Sequence, residues 1–405
     1  MRHLRLIHTF ASLLIAVVML GGEREQAAVD RFMSSRGLPQ DMAVIVTDLS
    51  TGKTLAEASA ERPLVPASIM KTVTIASLMH ESDAEKPIVT RVYTDGPVRD
   101  GALRGNIIVE GAGDPSLNSA ALPESGDFVA EIVEALRRRD IDCIEGRVIV
   151  DESIFEGPVV PPSWAKGDLM HAYGTGCHGF NFSGNASGKS SVSNPAFMFE
   201  QRLVRAMDAA GIVMERQSVA RGEDKLLVEH KSLPLKEIMR SCMMRSDNLY
   251  AESMLRLFAL ERDREGSTSA GASEEMKFWK RRGADMKGVE IIDGSGLSRS
   301  NRMTAKMIDF VLQDMADNVD YASYLPLAGQ EGTLKRFLAD TPLDSYVALK
   351  TGSMSGIQCY AGYKLDDEFA PTHSIVVIVN NFRCDRSTVR KAVEQMLLSI
   401  FDRES

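Results

Sequence analysis

The segment SIMKTVTIASLM at residues 68–79 predicts a helix that is apolar on nearly every side and begins just after Pro66. A helix of this kind is buried at the centre of a domain, because none of its faces favours water. Ser68 and Lys71 are spaced at i and i+3, so their side chains lie on the same face. A buried lysine tends to lose its proton, and the free amine can then act as a base toward a nearby hydroxyl. The segment therefore predicts a serine nucleophile at Ser68 with Lys71 as its base.

The same Ser-x-x-Lys spacing occurs at residues 50–53 and 163–166, but neither copy has this setting. The first lies in a short, glycine-containing link between two strand-like segments, which predicts a hairpin turn. The second follows two prolines and is stopped by Gly167, so it has no room for a helix.

A second polar motif, Ser246-Asp247-Asn248, falls between two segments with helical periodicity. A polar triplet held between packed helices can project into a cleft from a rigid backbone. The alternative interpretation is an ordinary helix cap formed by Ser246 or Asp247.

A third motif, Lys350-Thr351-Gly352-Ser353, follows the strand-like segment 346–349. We expect Lys350 and Thr351 at the end of that strand, where the lysine can hold a carboxylate. Gly352 would allow a substrate backbone to approach closely. Taken alone, the triplet could also be a strand that leads into a turn.

The three motifs in this order are typical of penicillin-binding proteins and class A β-lactamases. The similarity to these proteins extends beyond the three motifs, from about residue 42 to residue 401. The further segments that carry it are Pro66-Ala67-Ser68, Gly113-Asp114-Pro115, LYAE at 249–252, DGSGL at 293–297 and LPLAGQEGTL at 325–334. The chain thus resembles the class C low-molecular-mass penicillin-binding proteins, the D-alanyl-D-alanine carboxypeptidase/endopeptidase family.

The resemblance implies an α/β (α+β) fold. It consists of a β-lactamase/transpeptidase-like domain, with an antiparallel sheet flanked by helices, and a smaller inserted α+β domain. We expect the catalytic domain at residues 29–90 and 219–405 and the inserted domain at residues 91–218. Family members commonly carry a further small domain nested in the insertion. The chain leaves no room for it, so we expect an exposed loop at 183–193, within a long loop at 174–194 that is rich in Gly, Ser and Asn.

The resemblance also implies serine acyl transfer. Ser68 would attack the carbonyl between two D-alanines of a peptidoglycan stem peptide while Lys71 takes its proton. Backbone N–H groups of Ser68 and Ser353 would form the oxyanion hole, and Asn248 would hold the amide on the acyl side. β-Lactam antibiotics would acylate the same serine as covalent inhibitors. The reaction needs no metal or organic cofactor.

On the leaving-group side, the resemblance gives Ser246 the relay of a proton to the departing D-alanine. The terminal carboxylate would bind Lys350, Thr351 and Ser353 through charge-assisted hydrogen bonds, with Gly352 between them. Ser353 stands where threonine is usual in the family, and it keeps the hydroxyl.

Asp168 is a further candidate for substrate binding. With Trp164, it lies where family members place insertion residues near the mouth of the active site. Its carboxylate could pair with the free ammonium group of diaminopimelate in a stem peptide. In the alternative interpretation, Trp164 only packs and Asp168 is a solvated loop charge.

Two other functions are open alternatives. A β-lactamase shares the motifs and hydrolyses penicillins rapidly, but the long insertion and its Gly113-Asp114-Pro115 segment favour the peptidase. A non-catalytic scaffold that binds the cell wall would keep the fold without turnover, although all the nominated groups are present. The residues do not distinguish trimming of pentapeptides from cutting of cross-links.

The N-terminus predicts export. Arg2 and Arg5 precede an apolar run at residues 10–20, which is typical of a signal peptide and too short to span a membrane comfortably. No clean cleavage site follows, so residues 1–22 are a signal peptide or an anchor that associates with the membrane. We expect a protein of the periplasm or of the outer face of the cytoplasmic membrane.

Charge and cysteine content exclude other classes. The net charge is −9 and no basic cluster follows the first residues, which argues against nucleic acid as a partner. The five cysteines lack the spacing of metal ligands. Cys359 and Cys384 flank a predicted hairpin, so a disulfide between them is an open alternative.

Overall fold

The computed structural model describes residues 22–402, and the predicted signal segment at 10–20 lies outside these residues. The helices are α1 (22–33), α2 (Met70–Glu81), α3 (Phe128–Arg137), α4 (Pro195–Ala209), α5 (Leu235–Arg245), α6 (Asn248–Glu261), α7 (Thr268–Arg281), α8 (Ala305–Asp314), α9 (Val319–Ser323) and α10 (Arg386–Phe401). The strands are β1 (Met42–Asp48), β2 (Lys53–Ala58), β3 (Pro87–Thr94), β4 (Val98–Arg99), β5 (Ala102–Leu103), β6 (Ile107–Glu110), β7 (Cys143–Ile144), β8 (Val148–Asp151), β9 (Ala186–Ser187), β10 (Ser190–Ser191), β11 (Val213–Met214), β12 (Lys225–Pro234), β13 (Val347–Met354), β14 (Ile357–Leu365) and β15 (Pro371–Asn380). Between residues 22 and 402, no helix has both the length and the apolar character needed to cross a bilayer.

The main sheet has five strands in the order β13-β14-β15-β1-β2, all antiparallel to their neighbours. Successive side chains of a strand point to opposite faces, and both faces of β1 are buried. Ala43 and Ile45 pack in a core with α2 and α8, whereas Val44 and Val46 pack in a second core with α1 and α10. Helices therefore cover both faces of the sheet, and the predicted antiparallel sheet flanked by helices is confirmed.

Helix α2 lies at the centre of the catalytic part. Every residue from Met70 to Leu78 is buried, and the helix packs against α6, α7 and α8. This agrees with the apolar character of the segment on all sides. One detail differs from the prediction, because Ser68 belongs to a short 3-10 turn, Ala67–Ile69, that precedes α2.

The residues between β3 and β12 form a smaller α+β unit with its own core. Two four-stranded sheets, β12-β3-β6-β8 and β11-β7-β5-β4, combine there with α3 and α4. Phe128, Phe180, Phe182 and Phe199 contact one another at the centre of this core. Strands β3 and β12 pair with each other and connect the unit to the catalytic part. The division of the chain at residues 91 and 218 stays a prediction.

The expected strand end at Lys350 was wrong. Strand β13 continues to Met354, and Gly352 pairs with Cys359 of β14 in an unbroken antiparallel ladder. The turn that ends the strand lies further along, at 355–356. The third motif is therefore inside a strand, because glycine weakens strand pairing without preventing it.

The long loop expected at 174–194 is more ordered than its composition indicates. Asn185 Nδ2 donates to Asn181 Oδ1 at 2.7 Å, and Asn181 Nδ2 donates to the carbonyl of His178 at 2.9 Å. Both asparagines are completely buried, so their amides satisfy backbone groups that a solvated loop would leave to water. The short strands β9 and β10 then form a hairpin whose tip at 187–190 is exposed.

The structure shows all five cysteines as free thiols. Cys359 points from β14 into the core, so the disulfide with Cys384 that the sequence left open is not formed.

Candidate active site

The turn Ala67–Ile69 presents Ser68 at the N-terminal end of α2. Ser68 is partly exposed, whereas the residues on either side of it, Ala67 and Ile69, are fully buried. Ala67 has a φ of 47°, a conformation that costs free energy for a residue with a side chain and is often found at functional sites. The serine hydroxyl is thus the reachable group on an otherwise buried turn.

Lys71 lies one turn further along and is completely buried. Its Nζ is 3.1 Å from Ser68 Oγ, 2.7 Å from Asn248 Oδ1 and 2.7 Å from the carbonyl oxygen of Ser295. Burial is the main cause that lowers the pKa of Lys71. A neutral amine has two N–H groups and one lone pair. Asn248 and Ser295 can accept the two hydrogens, which leaves the lone pair for the hydroxyl of Ser68.

The second motif both caps a helix and projects side chains into the site, which are the two interpretations that its sequence allowed. Helix α5 ends before Ser246, which has a left-handed φ of 58°, and Asp247 caps α6 by accepting a hydrogen bond from the N–H of Tyr250 at 3.2 Å. Asn248, the first residue of α6, is buried and donates from Nδ2 to the carbonyl of Tyr173 at 2.7 Å. The cap fixes the backbone, and Ser246 and Asn248 point toward the site.

The third motif meets the second across the cleft. Lys350 Nζ donates to Ser246 Oγ at 2.8 Å and to the carbonyl of Thr351 at 2.9 Å. Burial, and then the positive charge of Lys71, lower the pKa of Lys350 well below its usual range. The hydroxyl of Thr351 donates to Thr333 at 2.8 Å, and that of Ser353 donates to Gln358 Oε1 at 2.7 Å. The predicted site residues of the three motifs therefore lie together.

Gly352 allows the sheet to lie directly against the nucleophile turn. A Cβ at this position would lie 2.7 Å from the carbonyl oxygen of Pro66 and 3.0 Å from the nitrogen of Ser68. Any larger residue would therefore push β13 away from Ser68. The sequence suggested that Gly352 allows a substrate backbone to approach. In the structure, it allows the backbone of the Ser68 turn to approach β13.

The role of Glu252 beneath Lys71 could not be seen in the motifs of the sequence. Glu252 accepts the N–H groups of Gly294 and Ser295 at 3.1 and 2.9 Å, and so holds the carbonyl that binds Lys71. Burial and then the neighbouring Asp293 raise the pKa of Glu252 to about 7. The DGSGL segment indicated a turn, but no local pattern connects it to Lys71.

Trp164 packs in the interior, whereas Asp168 lies at the surface. Trp164 is buried and donates from its indole N–H to Asp293 Oδ2 at 2.8 Å. Asp168 is half-buried at the surface and accepts a hydrogen bond from the hydroxyl of Tyr173 at 3.0 Å. Because the carbonyl of Tyr173 binds Asn248, Asp168 is connected to the second motif through one residue.

The site opens into a cleft of about 440 Å³. Its lining comes from the three motifs, the segment 333–337, β14 and the start of α10, and the residues are Ser68, Ser246, Thr333, Leu334, Phe337, Thr351, Ser353, Gln358, Tyr360, Arg386, Ser387 and Arg390. The fold and this site define a serine acyl-transfer enzyme of the penicillin-recognising class.

Residues 25–191 and 183–399 match the D-Ala-D-Ala carboxypeptidase 3 (S13) family, and the chain belongs to this family. It is therefore a serine-type D-Ala-D-Ala carboxypeptidase, and the resemblance identified from the sequence is confirmed. The two matching segments meet at 183–191, in the region where a nested domain was expected to be missing.

Similar proteins agree with this assignment. The chain is 29% identical over 348 residues to Carboxypeptidase DacB of Mycolicibacterium smegmatis, and the match covers 79% of this chain and 72% of that protein. The crystal structure of penicillin binding protein 4 (dacB) from Haemophilus influenzae has a TM-score of 0.78 at 21% identity, over 93% of this chain and 99% of that one. A second structure of that protein, complexed with a β-lactam, has a TM-score of 0.71 at 20% identity, and the match covers 93% of this chain and 99% of that one.

Proposed function

We propose that this enzyme removes the terminal D-alanine from peptidoglycan stem peptides through an acyl-enzyme on Ser68. One observation carries the proposal. Lys71 Nζ is buried and held by two acceptors, and its third direction leads to Ser68 Oγ at 3.1 Å. An alcohol becomes an effective nucleophile at neutral pH only when an adjacent base can take its proton.

In the first step, Ser68 Oγ attacks the carbonyl carbon of the scissile amide and transfers its proton to Lys71. The backbone N–H groups of Ser68 and Ser353 stabilise the oxygen that becomes negative. The short distance between Gly352 and the Ser68 turn supports this pairing, because it brings β13 beside the nucleophile. Asn248 holds the amide on the acyl side while its own amide stays fixed by Lys71 and Tyr173.

The C–N bond then breaks, and the leaving nitrogen takes a proton from Ser246. This serine lies between the cleft and Lys350, which is 2.8 Å away and can replace the proton. The proton that Lys71 took from Ser68 replaces the one that Lys350 gave up, so Lys71 is neutral again when water attacks the ester. Water loses a proton to Lys71, and Lys71 returns it to Ser68 Oγ as the acid is released. The overall change is the hydrolysis of one amide.

The terminal carboxylate of the substrate binds Lys350 and the hydroxyls of Thr351 and Ser353. Burial without a nearby anion disfavours the ammonium form of Lys350, and a bound carboxylate would supply that anion. Gly352 contributes no side chain, which allows β13 to lie directly against the Ser68 turn.

Asp168 is the proposed contact for a side-chain ammonium on the acyl part of the stem peptide. Tyr173 orients its carboxylate, and the same residue binds Asn248 through its backbone. A partly exposed pair of this kind is worth only ~0–1 kcal/mol, so it would tune substrate choice rather than determine binding.

We also propose that the chain is exported by its N-terminal segment and acts on the cell wall.

The pairing of β3 with β12 supports boundaries of the inserted domain near the start of β3 and the end of β12. The predicted boundaries at 91 and 218 lie inside this unit.

The test compares covalent labelling by a fluorescent penicillin in wild type, Ser68→Ala and Ser163→Ala. Ser163 belongs to another Ser-x-x-Lys copy and serves as the matched control. We expect labelling and release of D-alanine from a pentapeptide to be lost only in Ser68→Ala. Labelling that survives this change would overturn the assignment, and rapid turnover of nitrocefin by wild type would favour a β-lactamase.

A further inference from the structure

Glu252 of α6 has no part in the acyl transfer proposed above, although it lies directly behind the base. The residue is 1% exposed, and its Oε1 accepts the N–H groups of Gly294 at 3.1 Å and of Ser295 at 2.9 Å. The carbonyl oxygen of Ser295 in turn accepts a hydrogen bond from Lys71 Nζ at 2.7 Å. One carboxylate oxygen therefore fixes the peptide that orients the amine.

The other oxygen of Glu252 faces a second buried cation. Arg256, one turn later on α6, donates from Nε to the hydroxyl of Thr268 at 3.2 Å, and this hydroxyl lies 3.5 Å from Glu252 Oε2. The two remaining nitrogens of the guanidinium donate to carbonyls of the segment 156–158 at 3.2 and 2.7 Å. Glu252 thus lies between Arg256 and Lys71, and all three residues are buried.

Asp293 adds a second carboxylate to this buried group. Its oxygens accept four hydrogen bonds, from two backbone N–H groups, one amide and one indole. Two carboxylates therefore face two cations, and the charges balance while Lys71 keeps its proton. Buried charges are stable only when they are paired, so loss of that proton leaves one anion in excess. Burial lowers the pKa of Lys71, and the charges of Asp293 and Glu252 act in the opposite direction.

The other titratable groups that face Glu252 or Lys71 come from each neighbouring element, and they are Cys177 of the α+β unit, Cys242 of α5, Asp247 at the start of α6, Glu275 of α7 and Lys350 of β13. Burial raises the pKa of Cys177 to about 11 and that of Cys242 to about 12, so both stay thiols. Burial also raises the pKa of Asp247 and lowers that of Lys350, which favours their neutral forms. Burial raises the pKa of Glu275 to about 8, whereas burial and then Asp293 raise that of Glu252 to about 7. Glu252 therefore gains its charge before Glu275 as the pH rises.

We propose that Glu252 is a positioning residue for the base: it fixes the Ser295 carbonyl that orients Lys71, and its negative charge sets how strongly Lys71 holds a proton. A general base works best when its pKa lies near the working pH. Burial weakens Lys71 as a base, and the charge of Glu252 offsets part of this effect. The inference rests on the proposed transfer of the Ser68 proton to Lys71.

The test measures the rate constant for acylation of Ser68 by a fluorescent penicillin from about pH 5 to about pH 9 in wild type and Glu252→Gln. Glutamine keeps an oxygen acceptor for the N–H groups of residues 294 and 295, and its amide can donate to the hydroxyl of Thr268, so the change removes charge alone. The midpoint of the rise in rate should move by about one unit toward lower pH, because an anion no longer holds the proton on Lys71. The plateau at high pH should stay within about ten-fold of wild type.

Glu275→Gln is the matched control. It also changes a buried glutamate with a raised pKa, but this carboxylate accepts a hydrogen bond from Ser77 at 2.9 Å and does not hold the Ser295 carbonyl. Its midpoint should equal that of wild type. The same shift in both variants, or an unchanged midpoint in Glu252→Gln, would overturn the role of the charge.

Glu252→Ala removes the acceptor together with the charge. The Ser295 carbonyl is then no longer fixed, so the plateau should fall about a hundred-fold and should not recover at high pH. An alanine variant with the plateau of wild type would overturn the positioning role, and the glutamine variant decides the role of the charge even if Glu252→Ala does not fold. If penicillin still labels Ser68 in wild type and the rise with pH is absent from Lys71→Ala, these negative results leave the proposed function intact. Failure of penicillin to label Ser68 in wild type would overturn the proposed function and this inference together.

Discussion

The floor and the rim of the cleft differ in how their polar groups are held. On the floor, Lys71 and Lys350 are fully buried, and each is held by hydrogen bonds to atoms from separate segments of the chain. On the rim, Asp168 is half-buried and Arg386 is exposed, and the side chain of each makes one hydrogen bond to the protein. A group on the floor has no water to replace a lost partner, whereas a group on the rim does. We therefore expect changes on the floor to affect the reaction itself and changes on the rim to affect the choice of substrate.

The largest effect is expected for Lys71→Ala, which removes the base and leaves Asn248 and the carbonyl of Ser295 without their partner. General-base catalysis contributes ~10²–10⁴-fold, so acylation by a labelled penicillin should slow by about a hundred- to ten-thousand-fold. Stopped-flow kinetics would measure this rate, with Lys53→Ala at the exposed start of β2 as control.

In wild type the acylation rate should rise with pH as Lys71 loses its proton, because the neutral amine is the base. This dependence should disappear in Lys71→Ala. A variant that kept both the rate and the pH profile would show that the floor does not supply the base.

Lys350→Ala tests the other lysine of the floor. Hydrogen bonds to charged groups contribute ~1.5–3 kcal/mol, which corresponds to a loss of roughly ten- to a hundred-fold in kcat/KM for a peptide with a free terminal carboxylate. A peptide amidated at its C-terminus should lose much less. If both peptides suffer equally, Lys350 supports the site without binding the carboxylate.

The buried Glu275 of α7 tests how α2, the helix that carries Lys71, is supported by its neighbours. Burial raises its pKa to about 8, and Ser77 of α2 donates to Oε1 at 2.9 Å while Oε2 has no partner. Above pH 4.5 the unfolded chain releases this proton, whereas the native state keeps it up to about pH 8. The free energy of unfolding therefore falls as the pH rises from 4.5 to about 8. Glu275→Gln should remove this loss and gain about 3–4 kcal/mol relative to wild type between pH 5 and pH 8.

Urea unfolding at both pH values would measure this gain. The adjacent Glu274 provides a control of opposite sign, because its hydrogen bond to Lys277 lowers its pKa although the residue is buried. Its contribution is present above pH 4.5 and is lost as the pH falls, so Glu274→Gln should not gain stability at pH 8. The same response from both variants would contradict the assignment of a neutral, buried Glu275.

Asp168→Asn should have the smallest effect. An exposed pair is worth ~0–1 kcal/mol, so the preference for a stem peptide with a side-chain ammonium over its acetylated counterpart should fall by at most about five-fold. Lys166→Gln, at an exposed neighbouring residue, is the control. Steady-state kinetics on the two peptides would decide, and an unchanged preference would show that Asp168 is a solvated charge.

Much of the fold follows from local patterns. The apolar run of α2 and the strand segments of β1, β14 and β15 could be predicted because burial imposes a period on the side chains that each element presents. The third motif shows the limit of such patterns. The strand-like segment 346–349 suggested a strand end at Lys350, but pairing with β14 continued through Gly352 because the neighbouring strand was available.

The contacts that hold Lys71 could not be predicted in this way. Ser295 is 224 positions from Lys71 along the chain, and Asn248 is 177 positions away. Periodicity reports which side of an element is apolar, but it carries no information on which distant polar groups meet there. Glu252 was missed for this reason, although it lies only a few residues after the second motif.

The sequence by itself determined the chemistry of this protein: a serine, a lysine one turn later, and two polar motifs in a set order. Residue type and short spacing are sufficient for that, since a helix places i and i+3 on one face whatever surrounds it. Only the tertiary structure decided the state of those groups and the extent of the cleft. Burial lowers the pKa of Lys71, and the packing of α10 against β14 brings Arg386 and Arg390 to the same cleft as Ser68. Both depend on contacts between segments far apart in the chain, and such contacts exist only once the chain has folded.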